Sequence, residues 1–326
     1  MRLGVTLDDA VDLGTDPRRS ALPRVSSRPV NDPARPRERL ALAALVAGAL
    51  GIAFAPIFVR ESETGPVATA VHRMFLALPL LAPLAVRERR RRPEAPSPWS
   101  RAHLGALVAC GLFFAGDLAV WHWSIHFTSV TNATLFANFA PIFVTFVAWA
   151  WLGERVGALF VVGLATALAG AAVLLQASIH LGGTMLRGDL LGIATAVFYA
   201  AYQLTVKRLR ASLGTFALMF SSTLFSAVAL LAIALLERDT MLPATGRGWV
   251  VVLLLAWVSQ VAGQSLIAYG LAHLPASFSS VTLLVQPVAA ATLARWWLGE
   301  GIGPAQVAGG ALVLVGILLA RRASRA

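Results

Sequence analysis

Long apolar stretches separated by short polar segments dominate the pattern of residues along the chain. Leu40–Val59, Val156–Leu175 and Gly301–Ala320 each run for 20 residues without a charged side chain. An α-helix needs about 20 apolar residues to cross a hydrocarbon core of about 30 Å. The pattern predicts an all-α membrane protein with ten transmembrane helices. The predicted spans cover residues 40–60, 65–86, 103–125, 130–152, 156–176, 188–208, 213–236, 248–271, 276–298 and 301–320.

One sequence element occurs twice, 146 residues apart. Pro141 is followed by Trp-Leu-Gly-Glu at 151–154, and Pro287 is followed by the same four residues at 297–300. Five predicted spans separate the copies, and an odd number of spans makes the second copy cross the bilayer in the opposite direction. The repeat therefore predicts two inverted five-helix repeats, an architecture common in secondary transporters, which handle substrate near the midplane. Further matches at this offset are Gly157 with Gly303, Gly163 with Gly309 and Gly170 with Gly316.

The same pattern divides the chain into three parts. Residues 1–38 are rich in aspartate, arginine and proline and lack the apolar core of a signal peptide, so we expect a disordered cytoplasmic tail. Residues 39–177 form the first predicted repeat, and residues 186–322 form the second.

Composition and charge agree with a membrane location. Hydrophobic residues make up 57% of the chain, charged residues 13%, and the mean hydropathy is +0.72. A net charge of +11 could suggest nucleic acid. However, with a cytoplasmic N-terminus, 21 basic residues fall on the cytoplasmic side and 5 on the other. This bias predicts a multi-pass protein of the cytoplasmic membrane with both termini inside, and no nucleic-acid partner.

The two halves resemble the EamA-type domains of the drug/metabolite transporter superfamily. The resemblance rests on the paired Pro…Trp-Leu-Gly-Glu segments, on the segment 54–60, and on Pro66 with His72-Arg73. It implies that spans 1–4 and 6–9 line a central cavity while spans 5 and 10 pack at the periphery. It does not imply one substrate, since the superfamily moves amino acids, sugars, nucleotide sugars, drugs and other metabolites.

Two charged residues are expected within the membrane, where a charge requires a partner or water. Arg73 in span 2 and Asp117 in span 3 are predicted at a similar depth, roughly 12 Å from the outer surface at ~1.5 Å per residue. They could form an ion pair that only holds two helices together. Alternatively, one or both bind charged substrate or exchange a proton in the cavity. Asp117 aligns with Gly263 of the second repeat, which favours the functional interpretation.

Other polar and aromatic residues share helix faces with this pair. The predicted substrate-binding residues are Arg73, Asp117, Trp121, Asn138, Tyr199, Tyr202, Gln203, Gln260, Gln264 and Gln286. For the glutamines, hydrogen bonds between helices are the alternative. Pro141 and Pro287 are candidates for gating, with permanent kinks as the alternative. Glu154 and Glu300 are interpreted as helix caps or anchors of the repeat.

Arginines crowd the longest predicted internal loop. The run Arg87–Arg92 is interpreted as a topology anchor that binds anionic headgroups, with a regulatory role as the alternative.

The sequence predicts a secondary active transporter that exports a small metabolite or drug-like compound by alternating access. A phosphate-binding loop of Walker type is absent from the sequence, which excludes ATP hydrolysis as the energy source. We expect no enzymatic activity, cofactor or metal; the expected partners are a small-molecule substrate and the lipid bilayer. Proton coupling, plain exchange and a homodimer stay open. The alternatives are an intramembrane enzyme and a non-transporting scaffold.

Overall fold

The computed structural model describes residues 34–128, 130–175, 183–299 and 301–324, and all regular secondary structure in these ranges is helical. The α-helices are α1 (Ala34–Ala53), α2 (Ala55–Arg60), α3 (Pro66–Phe75), α4 (Leu78–Arg91), α5 (Arg101–Phe127), α6 (Val130–Ala137), α7 (Ala140–Trp151), α8 (Ala158–Leu174), α9 (Gly183–Leu209), α10 (Thr215–Glu237), α11 (Gly246–Leu254), α12 (Ser265–His273), α13 (Ala276–Thr282), α14 (Val285–Leu298) and α15 (Pro304–Ala323). A π-helix, Leu255–Gln264, lies between α11 and α12.

Nine helical segments in the described part are long and apolar enough to cross a membrane. They are Pro36–Arg60, Pro66–Arg91, Arg101–Ser124, Ala133–Trp151, Met185–Leu209, Thr215–Glu237, Gly246–His273, Ala276–Trp297 and Pro304–Ala323. The predicted fifth span corresponds to the shorter apolar helix α8, which starts after Gly157 because the backbone there is extended. The chain is thus a multi-pass membrane protein. The tail predicted for residues 1–38 lies mostly outside the described residues, and its last five residues are helical.

Prolines account for the interruptions in four spans. The interruptions lie at Phe54, Leu76–Ala77, Asn138–Phe139 and Leu283–Leu284. Each is followed within three residues by a proline, namely Pro56, Pro79, Pro141 and Pro287. Proline lacks the amide hydrogen that a continuous helix needs, so the hydrogen-bond ladder restarts at each site. Both sequence-predicted gating prolines therefore lie next to a real break in the helix.

Glycines allow α8 and α15 to pack backbone against backbone. A Cβ on Gly163 would lie 2.8 Å from the carbonyl oxygen of Gly316, and one on Gly170 would lie 2.7 Å from that of Gly309. Residue numbers rise along one helix as they fall along the other, so the two helices are antiparallel. Small residues that permit such close approach are the usual means of helix association in lipid. The glycines that match at the repeat offset thus form the contact between these two helices.

Carboxylates from one half of the chain cap helices of the other half. Glu88 accepts hydrogen bonds from the first three backbone amides of α10, at 2.8, 2.9 and 3.0 Å. Asp239 accepts one from the amide of Ala68 in the first turn of α3, at 2.9 Å. Glu154 accepts from the amides of Ala276 and Ser277, at 2.6 and 3.1 Å, at the start of α13. Because amides in the first turn of a helix have no partner within it, these contacts hold the two halves together. The cap interpretation of Glu154 is confirmed, whereas Glu300 lies outside the described residues.

Candidate functional site

Arg73 lies in the interior, on the second membrane-spanning segment. Its side chain is only 6% exposed, and its Nε donates a hydrogen bond to Oε1 of Gln260 at 3.1 Å. The amide nitrogen of Gln260 donates in turn to Oγ1 of Thr223 at 3.1 Å. The guanidinium carbon is 5.5 Å from the ring centroid of Phe114, within the range of a cation–π contact. Through these contacts, Arg73 connects two neighbouring spans of the first half to two neighbouring spans of the second half.

Asp117 lies one helical turn beyond Phe114 on α5. Its carboxylate does not form a direct ion pair with Arg73, although the two charges interact electrostatically. Asp117 also interacts electrostatically with Tyr199. The contact between Arg73 and Asp117 that would fix two helices to each other is not formed, because the guanidinium instead donates to Gln260. The half-buried Asp117 thus keeps acceptor capacity near the buried guanidinium of Arg73.

Aromatic rings connect Arg73 to the second half of the chain. Phe114 stacks on Tyr202 with centroids 4.5 Å apart, and Tyr202 stacks on Tyr199 at 6.2 Å. The hydroxyl of Tyr202 donates a hydrogen bond to Oε1 of Gln264 at 3.2 Å. Residues from both predicted repeats thus form one buried cluster of a cation, stacked rings and amides.

The two glutamines of this cluster lie on the π-helix. Gln260 and Gln264 are 1% and 2% exposed, and both fall within the ten-residue segment of wider turns. π-helical turns are rare and occur mostly at functional sites, where the altered turn redirects side chains. Here the segment directs Gln260 to Arg73 and Gln264 to Tyr202.

A small cavity is lined by five of the sequence-predicted residues, including Tyr199 of the ring stack. It offers about 20 Å3, room for about one water molecule. Its lining includes Asn138, Pro141, Tyr199, Gln203 and Gln286. Within the described ranges, Oε1 of Gln203 and Nε2 of Gln286 are buried without a hydrogen-bond partner. Since unsatisfied buried amides are costly, these two groups are suited to binding a water or a polar ligand.

Two predicted residues are placed less centrally. Trp121 is half-buried and contacts the ring of His122, with centroids 5.1 Å apart. Pro287 is buried and follows Gln286 directly, so it marks the helix break beside the small cavity.

Sequence reasoning missed two members of the cluster. Phe114 is one aromatic residue in a long apolar span and gives no separate signal. Thr223 belongs to a run of hydroxyl residues, Ser221-Ser222-Thr223, in the middle of α10. Three polar residues in the middle of a span could have predicted that Thr223 faces the interior of the protein, because such residues avoid lipid.

The sequence profile of the EamA-like transporter family matches residues 39–176 and 186–322. The pseudopaline exporter CntI of Pseudomonas aeruginosa is 26% identical over 227 residues, which cover 69% of this chain and 78% of that protein. A probable terminal-alkyne amino-acid exporter of Streptantibioticus cattleyicolor is 28% identical over 276 residues, covering 83% and 89%. A crystal structure with 18% sequence identity superposes with a TM-score of 0.72 over 90% of this chain and 98% of its own, and shows the same fold. With both halves matched by one profile, the chain belongs to the EamA-like transporter family.

Proposed function

We propose that this protein is a secondary active transporter that exports a small metabolite by alternating access. The observation that carries the proposal is the polar cluster of buried Arg73, Gln260, Tyr202 and Gln264 with the half-buried Asp117, contributed by both halves of the chain. Polar groups at membrane depth cost free energy, and a substrate pathway is the usual reason for a transporter to retain them.

Ten spans in two inverted repeats are part of the proposal. The four glycines between α8 and α15 support it: Gly163 opposes Gly316, and Gly170 opposes Gly309. Exchanging each residue with its counterpart 146 positions away converts the first pair into the second. The caps provide further support, because Glu88 at the end of the second span caps the seventh, and Asp239 at the end of the seventh caps the second. A pseudo-two-fold axis in the membrane plane would produce both patterns.

Alternating access requires elements that move, and the broken spans supply them. Spans 4 and 9 are interrupted just before Pro141 and Pro287, beside the small cavity lined by Asn138, Tyr199 and Gln286. We assign Pro141 and Pro287 to gating, since the interrupted hydrogen-bond ladder lets each half-span tilt separately.

The chemistry of the cluster favours a substrate with both a carboxylate and an amine. Arg73 suits the carboxylate, Asp117 suits the amine or a coupling proton, and the rings of Phe114 and Tyr202 suit an apolar side group. One relative is named as an exporter of a terminal-alkyne amino acid, which agrees with this class. The membrane would be the cytoplasmic one, with both termini inside.

Flux into liposomes tests the function. Purified protein would be reconstituted, and uptake of labelled apolar amino acids would be measured with and without a proton gradient. Protein-dependent, saturable flux that falls in Arg73→Gln supports the proposal. Absence of flux for the whole amino-acid set would reject this substrate class, and chemical conversion of a substrate would indicate an enzyme instead.

Labelling tests the inverted arrangement separately. Single cysteines at Gly157 and Gly301, in a variant that lacks Cys110, would be exposed to an impermeant thiol reagent added from one side of oriented vesicles. We expect Gly157→Cys to react from the cytoplasmic side and Gly301→Cys from the opposite side. Reaction of both from the same side would exclude inverted repeats.

A further inference from the structure

A second cavity lies away from the candidate site, at the ends of several helices. It has a volume of about 660 Å3, within the range of small-molecule sites. Its walls come from the end of α4, the segment 92–99, the turn 210–214, the first turns of α10 and the end of α12. We call it the loop pocket. The charge bias predicts that these helix ends face the cytoplasm.

The loop pocket carries an excess of positive charge. Arg89, Arg92 and Arg210 line it, and the carboxylate among its lining residues is that of Glu88. Both oxygens of Glu88 already accept backbone amides of α10. Burial lowers the pKa of Arg210, Glu88 opposes that effect, and repulsion from Arg92 adds to it. A bound anion would therefore relieve an existing repulsion between two guanidinium groups.

Two hydrogen-bond donors in the pocket wall lack partners. In the ranges described, neither Nε of Arg210 nor the hydroxyl of Ser221 has a hydrogen-bond partner. Ser221 is fully buried, while the Nη1 of Arg210 is occupied by the carbonyl of Leu213. Leaving a buried donor unpaired costs about 1–3 kcal/mol, so a ligand with acceptor atoms would be stabilised here.

Part of the wall is apolar. Val86, Leu213, Phe220 and Trp99 line the pocket beside the basic residues. At the opposite ends of these helices, the loop between α2 and α3 is bonded directly to the loop between α10 and α11. Glu63 of the first loop accepts hydrogen bonds from the amides of Ala244 and Thr245 in the second. The segment 92–99 instead lines the loop pocket, and the ring centroids of Trp99 and Phe225 are 6.3 Å apart.

We propose that the loop pocket binds an amphipathic phosphate. The phosphate contacts Arg89, Arg92 and the free Nε of Arg210, and the apolar part packs against Val86 and Phe220. Such a ligand can come from the bilayer, as an anionic phospholipid, or from solution, as an alkyl phosphate. Basic pockets between the cytoplasmic ends of membrane helices are an established form of lipid recognition.

The test uses two arginine pairs from the same run. All four arginines are exposed, but Arg89 and Arg92 line the pocket, whereas Arg90 and Arg91 do not. Binding of dodecyl phosphate and of phosphatidylglycerol to the purified full-length protein would be followed by thermal shift and native mass spectrometry. We expect Arg89→Gln/Arg92→Gln to weaken binding about tenfold or more, because charge-assisted hydrogen bonds are lost. Arg90→Gln/Arg91→Gln, with the same change in net charge, should stay within about twofold, because these side chains do not line the pocket and exposed charges outside it contribute little.

The outcomes separate the sources and can overturn the proposal. Competition between phosphatidylglycerol and dodecyl phosphate identifies a site for bilayer lipid, whereas binding of dodecyl phosphate alone identifies a soluble ligand. Ser221→Ala should also weaken binding, and Ser222→Ala, one position further along α10 and outside the pocket lining, should not. Equal losses in both arginine pairs, or no binding of either probe, would contradict a defined pocket.

Discussion

The contact between α8 and α15 and the polar cluster around Arg73 use the repeated sequence in opposite ways. At the helix contact, each glycine faces a glycine of the other half, and each pair has its counterpart 146 residues away. In the cluster, Asp117 of the first repeat corresponds to Gly263 of the second. The part of α5 that contains Asp117 is a regular α-helix, whereas the corresponding segment of the second repeat is the π-helix Leu255–Gln264. Gly263 packs on Gly48, with 2.7 Å between the carbonyl of Gly263 and a Cβ placed on Gly48.

This difference separates packing from function. A contact shared by both halves needs only shape, and glycine supplies it twice. A side chain present in one half serves a purpose that packing alone does not require. The predicted roles of Asp117, Gln260 and Gln264 therefore rest on their departure from the repeat as much as on their chemistry.

The largest effect on folding is expected where the backbones touch. In Gly309→Ala the new Cβ would lie 2.4 Å from the backbone nitrogen of Leu174, which cannot move without shifting α8. We expect a loss of about 3 kcal/mol or more in unfolding free energy, at the upper end of overpacking effects. Gly310→Ala is the matched control, because its Cβ would find only ordinary contact at 3.5 Å. Equal melting temperatures of the two purified variants would show that α8 and α15 do not pack this closely.

The next effect concerns transport. Asp117→Asn keeps size and removes charge, so the protein should fold while substrate flux in liposomes falls about 100-fold, as for loss of a proton-transfer group. Asp189→Asn is the control, since Asp189 is a buried aspartate that accepts a hydrogen bond from Thr128 at 2.8 Å outside the cluster. It should lower the melting temperature and leave flux nearly unchanged. Full flux in Asp117→Asn would remove Asp117 from the mechanism.

The sequence predicts the fold better than it predicts the contacts in the site. Uncharged apolar stretches have the length of a bilayer, and prolines interrupt helices for local reasons, so both features are readable from neighbouring residues. The bond from Arg73 to Gln260 joins residues 187 positions apart and depends on how each helix is rotated. The π-helix has no local signature in 255–264, and the loop pocket depends on the path of 92–99. Such features arise from tertiary packing, which periodicity does not encode.

A smaller effect is expected at the reciprocal caps. Glu88→Gln and Asp239→Asn each replace a charged acceptor at the first turn of a helix from the other half. Each change should cost about 1 kcal/mol in unfolding free energy, with Glu88 the larger because it accepts three amides. Glu94→Gln, at an exposed position, should have no effect. Melting temperatures that fall equally for all three would show that the loss comes from net charge and that the caps contribute nothing specific.

The smallest effect on stability is expected at two loop contacts, one at each end of the helices, of which only one contains a carboxylate. At one end, Glu63 joins the loop after the first span to Thr245; at the other, His103 and Ser212 make a corresponding contact at 3.0 Å without a carboxylate.

Hydrogen bonds from Thr245 lower the pKa of Glu63 below its ordinary 4.5. Because the folded value is the lower one, this contribution is complete above the unfolded pKa and disappears as pH falls through the folded value. The melting temperature of Glu63→Gln should thus lie slightly below that of the parent at neutral pH and approach it as the pH falls below the folded pKa of Glu63. The Ser212→Ala variant should show a pH-independent difference over the same acidic range. A gap between Glu63→Gln and the parent that stays constant down to pH values well below 4.5 would mean that the carboxylate's charge plays no part in joining these loops.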